Sequence, residues 1–369
     1  MSNGCQSLIR AIEEWAPLQL AEDWDNCGLQ VGDRTQEIHK VFVALTPTLA
    51  VVERAIAAGA DMIVTHHPLL FKPMKQITTD KEQGKIVHLL LKNGISLYSA
   101  HTNLDITVDG VNDVLAQRLD VRNLRPLADC TYETLYKLVV YVPSGYENQV
   151  RTAICGAGAG WIGGYSDCTF QGKGQGTFLP REGTNPFAGK VGELEFAEEY
   201  RLETVVPQSK LSAVLTAMES SHPYEEVAYD IFRLENKGAC TGLGRIGELP
   251  IEMTSEEFLQ YVSGKLGQPF LTYAGQAAKI KKVALCGGSA ASYMTAAKAN
   301  GADVYVTGDV KYHDGQLAEE LGILVIDAGH FATEQAIVEK LAEFLRKQNV
   351  EVVVDTNEKD FLQHFHLTK

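Results

Sequence analysis

The chain has 369 residues, 45% of them hydrophobic and 22% charged, with a formal net charge of −14. That length accommodates two or three domains with substantial cores, and the acidic balance argues against the basic footprint of a nucleic-acid binder. No apolar run approaches the ~18 residues of a membrane-spanning helix. Seven dispersed cysteines without a Cys-x-x-Cys, behind an amino terminus lacking signal-peptide features, read as reduced thiols in a cytoplasmic protein.

In chain order, residues 5–16 read as a helix stopped before Pro17, and Trp24–Gly32 as a turn-rich run. Lys40–Leu45 and Gly59–Thr65 read as short apolar strands separated by a helix, the second running into His66-His67-Pro68. Gly94–Ala100 follows and ends at His101-Thr-Asn-Leu-Asp105. Strands and helices alternate to about residue 125, the pattern of βαβ units on a parallel sheet. Between about 128 and 244 the texture changes: a strand at 138–143 with a helix at 145–154, then a strand at 200–207 with a helix at 209–219 and a strand at 227–232. Two such units make a βαββαβ, ferredoxin-like module. Thr254-Ser255-Glu256-Glu257 then carries a capping-box pattern ahead of a helix at 258–266.

The last third repeats the first. Lys40–Leu45 and Gly59–Thr65 align with the runs beginning at Lys282 and Gly301 at a constant offset of 242, and Gly94–His101 aligns with Gly322–His330 with one extra residue. Such repeats precede any fold assignment. The expected fold class is α/β: two homologous βα lobes, 1–127 and 245–369, form a dimetal-binding core, interrupted by an inserted ferredoxin-like α+β domain at 128–244.

Each lobe carries a His-x-x-x-acid pair after a strand, His101 with Asp105 and His330 with Glu334. Residues at i and i+4 of a helical turn share one side, so each pair can converge. Imidazole with carboxylate is a ligand mixture for zinc, iron or manganese. With His66 and His67 added there are too many candidates for one ion, and the set reads as a two-metal site. Being adjacent, His66 and His67 are expected to diverge and serve different ions; a buried structural pair is the alternative. His101 is either a ligand or a group orienting one. His66 and His67 align with Gly308 and Asp309, which makes Asp309 a weaker candidate.

Other signals have plainer readings. Gly158-x-Gly160-x-x-Gly163 matches a dinucleotide fingerprint but follows a helix-like run rather than a strand. The glycines from 156 to 176 read as irregular loops and tight turns. Ser221-His222-Pro223-Tyr224-Glu225-Glu226 reads as a helix-end loop. His313, after Thr307-Gly308-Asp309, is open between proton transfer and plain helix surface, and His39, His88, His364 and His366 read as surface or packing residues. No Gly-x-Ser-x-Gly is present.

Together, Trp24–Gly32, Thr65–Pro68, His101–Asp105, Thr307–His313 and Gly329-His330 with Glu334 resemble the NIF-three-like family, whose members are named GTP cyclohydrolase 1 type 2 homologues. The run at 221–226 is similar to longer bacterial members whose insert resembles PII and CutA modules. The resemblance implies a dinuclear centre on His66, His67, Asp105, His330 and Glu334, with Glu334 bridging, in a toroidal homohexamer. It implies two divalent ions per chain, zinc first, with iron or manganese also admissible. The function implied is a metal-dependent hydrolase on a small or nucleotide substrate. In a GTP cyclohydrolase reaction, water would attack C8 of guanine while His101 or His313 moves protons. A non-catalytic metal-binding or regulatory scaffold is the alternative. A ring encircling nucleic acid conflicts with the charge, and no membrane partner is expected.

Overall fold

The computed structural model describes residues 4–363, so His364 and His366 lie outside the described residues. The chain divides into two compact units, residues 1–130 with 241–369, and residues 131–240.

The first unit begins with α1 (Cys5–Trp15), β1 (Gly28–Val31), β2 (Lys40–Ala44), α2 (Leu49–Ala57), β3 (Met62–Thr65), α3 (Glu82–Lys92), β4 (Ser96–Ser99), α4 (Thr102–Ile106) and α5 (Val111–Arg118). The chain passes through β5 (Arg122–Pro143) into the second unit: α6 (Glu147–Gly156), β6 (Thr169–Phe178), β7 (Glu195–Pro207) and α7 (Leu211–Ser221). It returns through β8 (Tyr229–Met253) to α8 (Ser255–Leu266), β9 (Thr272–Ala274), β10 (Ile280–Ser289), α9 (Met294–Ala299), β11 (Val304–Gly308), α10 (Tyr312–Leu321), β12 (Leu324–Asp327), α11 (His330–Glu334), α12 (Ala336–Arg346) and β13 (Glu351–Val354). The fold is mixed α/β with two sheets.

One sheet has the order β1-β4-β3-β2-β13, with β13, β2, β3 and β4 parallel and β1 antiparallel at the edge. In the other, β10, β11 and β12 are parallel, flanked by antiparallel β8 and β9. Val41 pairs with Met62 across β2 and β3, and Val283 with Val304 across β10 and β11; the second pair is the first advanced by the repeat offset. Strands β3 and β4 are buried along their whole length, which explains why Met62-Ile63-Val64 reads as a continuous apolar run rather than an alternating one; the buried Thr65 and Ser99 hydroxyls at their ends bond to each other.

Helices cover both faces of these strands. Leu8, Ile9 and Ile12 of α1 fall at helical spacing and pack with Leu341 and Leu345 of α12 against Val41 and Val43. Each such side chain contributes roughly 1.5–3 kcal/mol by leaving water. Val51 and Ala55 of α2 and Ile86 and Leu90 of α3 cover the opposite face through Phe42, Ile63 and Leu97. The second sheet is enclosed in the same way, by α5 and α8 on one face and α9 and α10 on the other. Thr254 caps α8 and Glu257 completes the capping box that the sequence shows.

In the second unit the order β5, α6, β6, β7, α7, β8 accompanies the strand order β6-β7-β5-β8, with β6 and β5 both antiparallel to β7. Gly172, Gly174 and Gly176 correct the sequence reading: they lie inside β6, paired with Arg201, Glu199 and Ala197. With no side chain at alternate positions they give β6 no apolar rhythm, so the strand escapes a pattern search. Gly158, Gly160 and Gly163 do occupy positive-φ turns.

Arg245 of β8 is 3% exposed and fixes the first unit from inside. Its guanidinium donates to both carboxylate oxygens of Asp113 on α5, at 2.7 and 2.8 Å, and to the carbonyls of Gly242, Gly244 and Thr107. Removing one partner of such a pair strands a buried charge. Asp113→Ala should therefore lower the stability of this unit by about 3–5 kcal/mol, read from the shift of its urea-unfolding midpoint. An unshifted midpoint would show the pair to be dispensable.

Candidate metal centre

The parallel strands of both sheets deliver the histidines at their carboxyl ends, where open α/β sheets place ligands. His66 and His67 follow β3, His101 caps α4 after β4, and His330 opens α11 after β12. All lie in the first unit.

Each of the four imidazoles has its Nδ1 engaged. That of His66 donates to the Ala100 carbonyl at 2.8 Å, and that of His67 meets Thr46 Oγ1 at 2.8 Å. His101 Nδ1 donates to Asp25 Oδ1 at 2.9 Å, and His330 Nδ1 to Asp309 Oδ2 at 2.7 Å. A carbonyl or carboxylate only accepts, so Nδ1 carries the proton in at least three rings and Nε2 is left as the ligand atom.

The Nε2 atoms meet carboxylates. His67 and His330 approach Glu334 Oε2 at 3.0 and 3.2 Å. His66 Nε2 lies 3.7 Å from Asp105 Oδ1 and 3.8 Å from Glu334 Oε1. Ligand atoms of His66, His67 and His101 lie within 4.8 Å of one another, as do those of His67, His330 and Glu334. Among the described residues, the buried atoms His66 Nε2 and Asp105 Oδ1 have no hydrogen-bond partner. A buried nitrogen and a buried carboxylate oxygen left unspent beside each other are costly, and a cation between them removes the cost. The donor set fits a metal.

The electrostatics are those of a cluster that favours positive charge. Glu334 is 4% exposed; burial opposes its ionisation, yet bonds from His330 and His67 and the nearby charge of His66 hold its pKa well below the usual carboxylate range. Burial raises Asp105 to about 6, against the pull of His66. The Glu334 bond, working against burial, lifts His330 to about 10. Desolvation opposes charge on His66, but Asp105 and Glu334 carry it to about 9. Burial lowers His67. Protons thus occupy the places that a cation would take.

Of the residues anticipated from sequence, His66, His67, His101, Asp105, His330 and Glu334 come together. His66 and His67 diverge less than expected: their ring centroids are 5.1 Å apart, because a tilt of 42° suffices to give each its own Nδ1 partner. His313 is corrected. It is exposed in the first turn of α10, against Tyr312, and does not line the cavity over the cluster. Asp309 is the group orienting His330.

Asp25 was missed. It accepts from His101, from the Thr102 amide and hydroxyl, and from Cys27 Sγ; these bonds, against burial, hold it well below its ordinary pKa. It does for His101 what Asp309 does for His330. It lies in Trp24–Gly32, which the sequence offers as a turn-rich run and as one of the family motifs but with no role for Asp25. Cys27, by contrast, is pushed up to about 12 by burial, and neither donor group includes a cysteine among the described residues.

Above the cluster is a cavity of about 580 Å³, walled by Trp24, Phe71, Cys286, Ser289 and Tyr293. Trp24 and Phe71 meet edge to face at 5.8 Å, and His101 lies 6.3 Å from each.

This geometry accompanies a match over nearly the whole sequence: the family model Duf34/NIF3 (NGG1p interacting factor 3) covers residues 4–360. The chain belongs to the DUF34/NIF3 family. Among its relatives is the GTP cyclohydrolase 1 type 2 homolog of Halalkalibacterium halodurans, 45% identical over 362 residues, 96% of this chain and 97% of that protein. The Bacillus subtilis protein of the same name is 44% identical over 359 residues, 96% of each chain. The crystal structure of a Bacillus cereus protein related to NIF3 superposes with a TM-score of 0.91 at 41% identity, covering 99% of this chain and 100% of that one. No helix among the described residues is long and apolar enough to cross a membrane.

Gly288 is where β10 passes the cluster. It has φ +64°, and a Cβ there would lie 2.2 Å from Glu334 Oε1 and 3.3 Å from His330 Nε2. Gly288→Ala should push the Glu334 carboxylate aside and lower the His330 pKa from its raised value. NMR titration of the metal-free protein reads this, and an unchanged His330 titration would show that the carboxylate has room to spare.

Proposed function

We propose that this DUF34/NIF3 protein binds two divalent metal ions and is a hydrolase of a small, nucleotide-class substrate, in line with the GTP cyclohydrolase name its relatives carry. The observation carrying the reading is the set of Nδ1-anchored imidazoles around Glu334 and Asp105, with unspent buried donor atoms between them. The ligands are His66, His67, Asp105, His330 and Glu334. Glu334 suits a bridging place because its two oxygens face different histidines. Zinc leads on ligand chemistry, with iron and manganese admissible.

When bound, such ions activate water near neutral pH and neutralise charge developing on an attacked centre. The chain's own residues supply the rest. Asp25 fixes the His101 ring with Nδ1 protonated, so His101 Nε2 is the atom that accepts or returns a proton at the cavity floor. Trp24, Phe71 and Tyr293 offer aromatic surface against which a planar base can stack while a polar group reaches the cluster. His313 has no part in this step.

The repeat, with its matching strand registers, supports two homologous βα lobes as the metal-binding core. The strand order of the second unit supports a ferredoxin-like insertion of the PII and CutA kind. The resemblance also carries a cytoplasmic homohexamer. The competing reading, a metal-holding regulatory scaffold without turnover, is favoured by the existence of a whole second unit that supplies none of the candidate ligands.

Elemental analysis of anaerobically purified protein, paired with GTP turnover in the same preparation, separates these readings. Two metals per chain with product formation is the expected result; two metals without turnover would replace GTP as substrate and raise the scaffold. Glu334→Gln should lose at least one metal per chain and abolish turnover while the fold persists. Turnover surviving metal loss would exclude the mechanism. Deleting 131–240 should leave metal stoichiometry intact, and a folded deletion that binds no metal would contradict the domain division.

A further inference from the structure

A second cavity, of about 450 Å³, lies wholly within the second unit, in the size range of small-molecule sites. Its walls are the aromatic rings Phe178, Phe187 and Tyr224 with Pro180 and Pro186. Tyr224 lies 5.9 Å from Phe178 and 5.8 Å from Phe187, ring centroid to ring centroid. The three rings form a partial box.

One buried carboxylate stands in that wall. Glu199, on β7, is 8% exposed, although lone glutamates are rarely so buried. Its Oε1 accepts from the Tyr224 hydroxyl at 3.0 Å. Its Oε2 lies against Gly176 of β6, where a Cβ would come within 2.1 Å. Only a residue without a side chain at 176 leaves the carboxylate where it is, and Gly176 itself lines the cavity.

The rim is assembled by specific contacts. His222 Nε2 donates to the Tyr141 carbonyl at 3.0 Å and Nδ1 accepts from the Tyr224 amide at 3.1 Å, so the imidazole is neutral and fixes the turn bearing Tyr224. Burial likewise lowers its pKa. Glu225 accepts from the Asn185 amide at 2.9 Å, tying the Tyr224 turn to the loop bearing Phe187. This accounts for Ser221–Glu226, which the metal centre leaves unused.

The charges decide what such a box takes. Glu199, Glu225 and Glu226 line it against Arg181 alone, so its acids outnumber its bases. Ring faces carry negative potential and attract cations, most strongly where water is excluded. We propose that this cavity binds a small organic cation, an alkyl- or arylammonium, with its charged head between the aromatic faces and Glu199 and its apolar part against Pro180 and Pro186.

The test titrates the full-length protein with phenyltrimethylammonium and with its neutral carbon analogue tert-butylbenzene, followed by ligand-observed NMR. The cation should bind, and the neutral analogue roughly tenfold more weakly or not at all. Glu199→Gln keeps the shape and an acceptor for Tyr224 but removes the charge, and should weaken the cation by about tenfold without changing metal content. Should that variant misfold by circular dichroism, Phe187→Leu, which keeps the apolar wall but loses a ring face, should weaken the cation in the same direction. No binding of the cation, equal binding of the neutral analogue, or wild-type affinity in a folded variant would overturn the proposal. Because metal content is read separately, failure here leaves the cluster of the first unit untouched.

Discussion

The structure around the candidate centre depends on one buried carboxylate. Glu334 sits at 4% exposure with imidazoles on both oxygens. An ion so far from water costs several kcal/mol unless its partners are exact in placement. Every nearby feature serves that placement: Asp309 and Thr46 hold the rings of His330 and His67 from behind, and Gly288 withdraws the backbone to make room. His66, wholly buried, takes its orientation from a strand-end carbonyl. Because Nδ1 is engaged on every ring, none can turn away to relieve the crowding at Nε2.

The arrangement explains why ligands follow parallel strands. Neighbouring parallel strands end on one side, so a histidine just past β3 and another just past β4 start close together with no loop to direct them. The short helices α4 and α11 then turn the chain within five residues, and the i,i+4 spacing in α11 brings His330 and Glu334 together. The rigidity comes from the sheets; the chemistry comes from the residue after each strand.

Much of this was legible because it lies in local pattern. Apolar runs announced β2, β3, β10 and β11, the 242-residue offset reappears in their registers, and the His-x-x-x-acid spacing announced α11's pair. Asp25 was not legible because its partner His101 is distant in sequence and nothing local marks the contact. Strand β6 escaped because glycine carries no hydrophobic signal, and β5 and β8 run far beyond their apolar portions as polar, exposed strands. His313 misled because it follows the strand equivalent to β3, but α10 leaves it on the surface.

Strand β13 has a consequence for how the protein is made. It pairs with β2, and just beyond it Asp355 grips Arg54 while Glu358 accepts from the amides of Leu45 and Thr46. Thr46 in turn supports His67. A ribosome therefore releases β2 long before the strand that closes its open edge, and the sheet of the first half stays incomplete until Glu351–Val354 have emerged. During synthesis that edge is an unpaired template of the kind that invites aggregation until β13 arrives to cover it.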